Sequence, residues 1–265
     1  MTTRSFPPQI FARLAPQQYM ERHLEAGVRP TGRKLDEQRR VECQIGDSQI
    51  KALGSATVRY GECTVICGIL GGLTDYKGEG GIYPNVKMYR MGRAAVPTLE
   101  EQCLSHALDL QIKAAKFSPD NFQVHVEDSL TECDKELVLR ANIQVLSRTG
   151  PSLDACWAAL VAALKDAKLP IFKLDEKTGE AIATGIGEHL RIPESLASIS
   201  FNYGLLNGTL LLDIDGPTEE ASVATTANVF KCANGKLTGL YIHSANESFS
   251  AAQLDEILDH CQVDQ

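Results

Sequence analysis

No stretch of this 265-residue sequence is apolar for long enough to cross a membrane. The longest apolar run lies near Ala158–Leu164, far short of the roughly 20 residues a spanning helix needs. Arg4 stands near the start with no apolar segment after it, so no signal peptide is expected. Metal-binding spacing is also missing. The eight cysteines form no CxxC pair, and the six histidines are scattered and make up no ligand set with them. Structural zinc is therefore not expected, nor is any other metal or cofactor. Most cysteines sit inside apolar stretches as small hydrophobes, which fits a reducing compartment. A basic surplus is lacking as well: 26 Lys and Arg against 34 Asp and Glu give a net charge of −8. That argues against a free-standing binder of phosphate backbones. It leaves room for a local basic strip, or for a subunit whose partners make most of the RNA contact. The glycine-rich stretch Gly71–Asn85 lacks the GxxxxGK[ST] order of a phosphate-cradling loop and is expected to be a flexible connection.

The most informative stretch runs from Glu136 to Pro170. Leu137, Leu139, Ala141, Ile143 and Val145 alternate as one face of a strand, and Leu153, Trp157, Leu160, Val161 and Leu164 recur at helical spacing. Thr149–Ser152 makes the corner between them, with Pro151 suited to a helix start and Pro170 expected to stop the helix. Free N–H groups at such a corner invite an anion.

Around it, residues 1–18 are expected to form an N-terminal arm, and a helix spans Pro16–Ala26 with Gly27 ending it. Arg29-Pro30-Thr31-Gly32-Arg33 is expected to be a solvated turn, with an RNA- or partner-facing loop as the alternative. Short strands follow at Arg40–Ile45, Ile50–Leu53, Ala56–Tyr60 and Cys63–Leu70. Met88–Arg93 sets Arg90 and Arg93 beside a glycine, and a helix runs from Pro97 to about Lys116. Later strands are expected at Ile182–Arg191, Ile199–Tyr203, Thr209–Ile214, Ser222–Cys232 and Leu237–His243, with Asn207-Gly208 and Asn234-Gly235 as hairpin turns. Asp215–Glu220 is expected to be a turn, and Ser250 to cap a last helix over Ala251–Cys261. Meander, helix, strand–corner–helix, meander, helix is an α+β order used twice, with halves at 19–132 and 133–265.

RPTGR (Arg29–Arg33), GSATVRYGECTVICGI (Gly54–Ile69), YPNV (Tyr83–Val86), LDACWAALVAAL (Leu153–Leu164) and LLLDIDGPTEE (Leu210–Glu220) occur in one order across residues 19–262. In that order the sequence resembles the RNase PH-like subunits of the RNA exosome ring, in the eukaryotic non-catalytic branch. The resemblance implies an α+β, RNase PH-like βαβ fold of the ribosomal protein S5 domain 2 type with two similar halves. It implies partners too: other RNase PH-like ring subunits, three cap proteins, RNA threading the pore and a recruited nuclease. Roles in rRNA processing and mRNA turnover, in the nucleus, nucleolus and cytoplasm, come with it.

Active members of the family hold inorganic phosphate with an arginine and a small hydroxyl residue at the corner, and use two acidic residues after an EE-type turn. Phosphate attacks only when its own charge is compensated, so these groups are indispensable. Here the GG-[ST]-R pattern falls on Gly150, Pro151, Ser152 and Leu153, so leucine stands in the arginine position. The EED…D pattern falls on Glu219, Glu220, Ala221 and Ala227, so alanine stands in both acidic positions. No catalytic residue is expected; the candidate RNA contacts are Arg90, Arg93 and Arg148, with Glu219 and Glu220 as solvated turn residues. The alternative is an active phosphorolytic 3′–5′ exoribonuclease, or a chain that completes a neighbour's active site.

Overall fold

The computed structural model describes residues 7–46, 51–92, 96–124, 135–174, 181–232, 234–245 and 247–260. Expectations for Arg93, Ile50, Cys133, Cys261 and the first six residues lie outside these. The chain forms two compact units that interleave along it. One comprises residues 1–40, 148–154 and 199–265, and the other 41–147 and 155–198. They are assembled from alternating segments, whereas the halves expected from sequence are consecutive.

The second unit is built on a five-stranded sheet in the order β1-β2-β3-β5-β4. Its strands are β1 (Val41–Ile45), β2 (Gly54–Tyr60), β3 (Cys63–Thr74), β4 (Gly81–Met88) and β5 (Glu136–Ser147). All pairings are antiparallel except β4 with β5, which lie parallel because α3 (Leu99–Ala115) carries the chain over between them. The alternation expected in β5 is present: Leu137, Leu139, Ala141, Ile143 and Val145 are all buried. Two expectations fail here: residues 51–53, expected within a short strand, are not strand, and the glycine-rich stretch is not a loop throughout. Gly71–Thr74 extends β3, pairing with Leu139 to Glu136, and Gly81–Asn85 begins β4, so much of the glycine-rich stretch is strand rather than loop. A Cβ at Gly71 in β3 would stand 2.8 Å from Leu53 Cδ1, so a larger residue there requires the Leu53 side chain to move. Pro84 is tolerated because β4 is an edge strand.

α4 (Leu153–Asp166) buries Trp157, Leu160, Val161 and Leu164, and the Trp157 indole donates to Ser198 O at 2.8 Å. It ends at Asp166, before Pro170, which sits inside β6 (Lys168–Leu174). β6 pairs with β7 (Ala181–His189) as a two-stranded ribbon. α3 starts with a capping box: Thr98 Oγ1 accepts from Glu101 N, and Glu101 Oε2 accepts from Thr98 N at 2.6 Å.

The first unit holds a four-stranded sheet, β11-β10-β8-β9, made of β8 (Ser198–Leu206, whose Ser198 belongs to the other unit), β9 (Thr209–Leu212), β10 (Thr225–Cys232) and β11 (Leu237–His243). β8 and β9 join through Asn207-Gly208, both at positive φ (48° and 76°), as the Asn-Gly signal requires. The expected arm is partly helical. Pro8–Leu14 forms α1, which Pro at the first helical position permits, and Pro16–Glu25 forms α2. α2 ends in a Schellman pattern, with Gly27 N bonding Leu24 O and Val28 N bonding His23 O. Asp215–Glu220 is no simple turn, because Gly216–Ser222 is helix α5. α6 (Ala251–His260) follows a reciprocal cap between Ser250 and Gln253. Tyr203, Leu212, Ala227, Val229 and Ile257 form one apolar cluster of this unit, and Met20, Leu206 and Leu211 another.

Candidate functional site

The corner after β5 lies in the first unit, where the chain turns through Arg148–Ser152 into the first residues of α4. Gly150 sits at φ 90°, and a Cβ there would stand 2.8 Å from Ile214 O. Only glycine fits both the conformation and the close approach.

Three arginines converge on the segment that crosses behind this corner, Leu212–Glu219. Asp213 is the hub. It is fully buried and held at φ 55°, which is unfavourable for a residue with a Cβ. Its carboxylate accepts Arg39 N at 2.7 Å, Arg39 Nη2 at 2.7 Å, Arg39 Nε at 2.9 Å and Arg33 Nη1 at 3.0 Å. Arg39 Nη1 also donates to Thr149 O at 2.8 Å and to Asp215 Oδ1 at 2.9 Å, which ties the corner to the hub. Arg29 is 1% exposed and lies alongside Glu219 in a two-pronged pair, with Nε donating to Oε1 at 3.0 Å. Its remaining N–H groups donate to Leu212 O and Asp213 O, each at 2.7 Å. Glu219 Oε2 further accepts Asp215 N at 2.9 Å.

These bonds correct two expectations. The Arg29–Arg33 segment does turn, with Thr31 and Gly32 exposed, but Arg29 is not solvated, and neither is Glu219: both are buried because each satisfies the other's charge and the carbonyls around it. Sequence reasoning missed Arg39 and Asp213. The available signal was the polar end of an apolar run, TLLLDI, standing far along the chain from a cluster of arginines that needed carboxylates.

The chemistry of the corner follows from its charge balance. Arg29, Arg33 and Arg39 are matched by Glu219, Asp213 and Asp215. Arg148, one of the candidate RNA contacts, pairs with Glu220, both about a third exposed. Ser152, the retained hydroxyl, is 2% exposed and its Oγ has no hydrogen-bond partner among the described residues, while Leu153 beside it is buried. Ala221 is exposed on α5. Ala227 is fully buried within the cluster of Tyr203, Leu212, Val229 and Ile257. The first acid after the corner in sequence is Asp154, 4% exposed, which accepts Ser200 Oγ and, at 3.4 Å, Asn228 Nδ2 on Oδ1. Burial pushes its carboxyl up to about 6; the Asp213 charge adds to this, and Ser200, Arg39 and Asn228 oppose it. Its Oδ2 has no hydrogen-bond partner among the described residues.

The other candidates belong to the second unit. Arg90 donates from Nη2 to Glu101 Oε2 at 2.6 Å, which places it over the first turn of α3. Arg93 lies outside the described residues. The three candidate arginines are thus not gathered into one described cluster.

A family model, the 3′ exoribonuclease family, domain 1 (RNase PH), matches residues 37–170. The chain belongs to the RNase PH family. Among relatives, the chain is 32% identical over 235 residues to exosome complex component rrp43 of Schizosaccharomyces pombe, covering 84% of this chain and 82% of that one. It is 29% identical over 196 residues to exosome complex component Rrp42 of Thermococcus onnurineus, covering 72% and 70%. Two solved structures share the RNase PH fold. One, described as the Archaeoglobus fulgidus exosome with RNA bound to the active site, has a TM-score of 0.69 at 21% identity, covering 95% of this chain and 94% of that one. The other, an archaeal exosome core, has a TM-score of 0.68 at 22% identity, covering 96% and 94%. The α+β, RNase PH-like expectation therefore holds.

Proposed function

We propose that this chain is a non-catalytic subunit of the hexameric exosome ring, contributing to assembly and to the threading of RNA for 3′–5′ processing and degradation. Its partners in this reading are the other RNase PH-like subunits, the cap proteins, RNA within the pore and a recruited nuclease. The relatives named as exosome components support ring membership. One observation carries the catalytic half of the reading: the corner's arginines are already neutralised by carboxylates of the same chain, and leucine stands where the family pattern has arginine. Bringing a phosphate dianion there requires breaking a buried ion pair, and no compensating cation follows in Ser152–Ala163.

Purified chain incubated with single-stranded RNA and inorganic phosphate should release no nucleoside diphosphate, yet enter a stoichiometric ring when mixed with its partners. Phosphate-dependent release by the chain alone would establish the phosphorolytic alternative. Arg90, Arg93 and Arg148 remain proposed RNA contacts, and the proposal that Arg148 serves a neighbour's site draws support from its own and its partner Glu220's partial exposure. Charge reversal of each in a reconstituted ring, read as RNA affinity, decides them individually. Location in the nucleus, nucleolus and cytoplasm belongs to the same reading and is checked by imaging a tagged chain.

A further inference from the structure

The five-stranded sheet of the second unit has one face buried by apolar side chains and one face open. On the open face the parallel pair β4–β5 sets side chains side by side in three rungs: Tyr83 with Arg140, Asn85 with Asn142, and Lys87 with Gln144. All six residues are exposed. Successive rungs stand about 6.7 Å apart along the strands, about twice the stacked rise of a nucleic-acid strand. A chain of nucleotides lying along them is stretched, with its bases unstacked and free to find other partners.

The charge of this strip is unusual for the molecule. Acids outnumber bases 34 to 26 in the chain, yet the three rungs carry two cations and no acid. Arg29, Arg33, Arg39, Arg90 and Arg148 are all paired with carboxylates. Lys87 and Arg140 have no ion-pair partner among the described residues. The aromatic member is prepositioned: the Tyr83 hydroxyl donates to Glu79 O at 2.8 Å. Its ring lies beside Gly81, where a Cβ would come within 3.7 Å of Cε2. The residue is nevertheless 46% exposed.

We propose that this β4–β5 face binds single-stranded RNA, with Lys87 and Arg140 meeting phosphates, Tyr83 stacking on a base, and Asn85, Asn142 and Gln144 bonding base edges and riboses. The inference rests on the ring-subunit reading for its partner and names the surface that reading leaves unassigned. An acidic protein segment matches the strip less well: two cations give it little charge to pair with, whereas an exposed ring among amides matches a base with its donors and acceptors.

The test uses the full chain, alone and in a reconstituted ring, with a labelled single-stranded oligoadenylate. Lys87→Glu/Arg140→Glu and Tyr83→Ala are compared with wild type by anisotropy at several salt concentrations. The double variant should bind at least tenfold more weakly, and its log–log salt slope should fall by about 1.4 for two lost phosphate contacts. Tyr83→Ala should lose about tenfold with the slope unchanged. Ultraviolet crosslinking should recover RNA on the peptide containing Tyr83. Wild-type affinity and slope in both variants would overturn the proposal. So would variants that keep RNA affinity while the ring loses a protein component, which makes the face a protein interface. A wild-type chain that never enters a ring overturns the subunit reading instead, and the titration of the chain alone still decides the face.

Discussion

Asp154 is 4% exposed and burial raises its carboxyl to about 6, against 3.8 ordinarily. Between those values the folded chain binds more protons at this group than the unfolded chain does. Stability therefore falls as pH rises from about 4 to 6, and the loss is complete above that window. A difference of that size between folded and unfolded chain corresponds to roughly 3 kcal/mol. Asp154→Asn should flatten this segment of a stability-against-pH curve measured by urea unfolding; an unchanged slope would mean that another group titrates there. Arg29 poses the opposite case. Its charge is buried but fully matched, so removing it strands Glu219 and two carbonyls. Arg29→Met should cost about 3–5 kcal/mol. Arg29→Met/Glu219→Leu should recover part of that, because the stranded carboxylate is then gone while the carbonyls are still without donors.

Packing of β2 against α4 depends on one missing side chain. A Cβ at Gly54 would stand 2.5 Å from Ala163 O and 2.5 Å from the Ala167 backbone, atoms that cannot rotate away. Gly54→Ala must push strand and helix apart, at a cost of about 1–3 kcal/mol or more, and thermal melting checks it. The start of α3 is held by Glu101, which is buried. Burial by itself raises its carboxyl, but the N–H groups of Met88 and Thr98 and the Arg90 guanidinium outweigh that and hold it at about 2, against 4.5 ordinarily. This contribution is complete above pH 4.5 and is lost as pH falls toward 2. Glu101→Gln should lower Tm at pH 7 and remove the low-pH slope; a Tm equal to wild type would show that the strut is idle. At this scale β5, α3 and α4 were legible from sequence, because alternation and helical spacing are local properties of the chain. The glycine-rich stretch was not. Gly71 and Gly72 become strand through pairing with Leu139 and Val138, partners more than sixty residues away. Likewise α5 reads locally as a turn: Asp-Gly-Pro marks a chain reversal, and nothing nearby in the sequence reveals that Glu219 in the following helix will be met by Arg29.

For the molecule as a whole, the proposed lack of phosphorolytic chemistry raises the question of whether three side chains alone would account for it. Leu153, Ala221 and Ala227 were legible as departures from the family pattern, but sequence alone leaves open that restoring them restores the site. The structure bears on this through Ala227. It is fully buried in an apolar cluster with Tyr203, Val229 and Ile257, on the strand face that α6 covers through Ile257. A carboxylate placed there enters an apolar cluster and must be desolvated, at a cost of several kcal/mol or by staying protonated. Ala221 is exposed and tolerates aspartate. An arginine at 153 begins from a buried position, and the buried Asp213 carboxylate of the same unit is already committed to Arg33 and Arg39. The triple variant Leu153→Arg/Ala221→Asp/Ala227→Asp should therefore remain silent in a phosphate-dependent RNA degradation assay, and Ala227→Asp alone should lower Tm by several degrees while Ala221→Asp alone leaves it unchanged. The informative contrast is between the two single variants, since both add the same group to the same unit. Equal Tm values for them would mean that the pocket around Ala227 accepts charge, and nucleoside diphosphate release by the triple variant would mean that the corner still provides everything phosphate needs except those side chains.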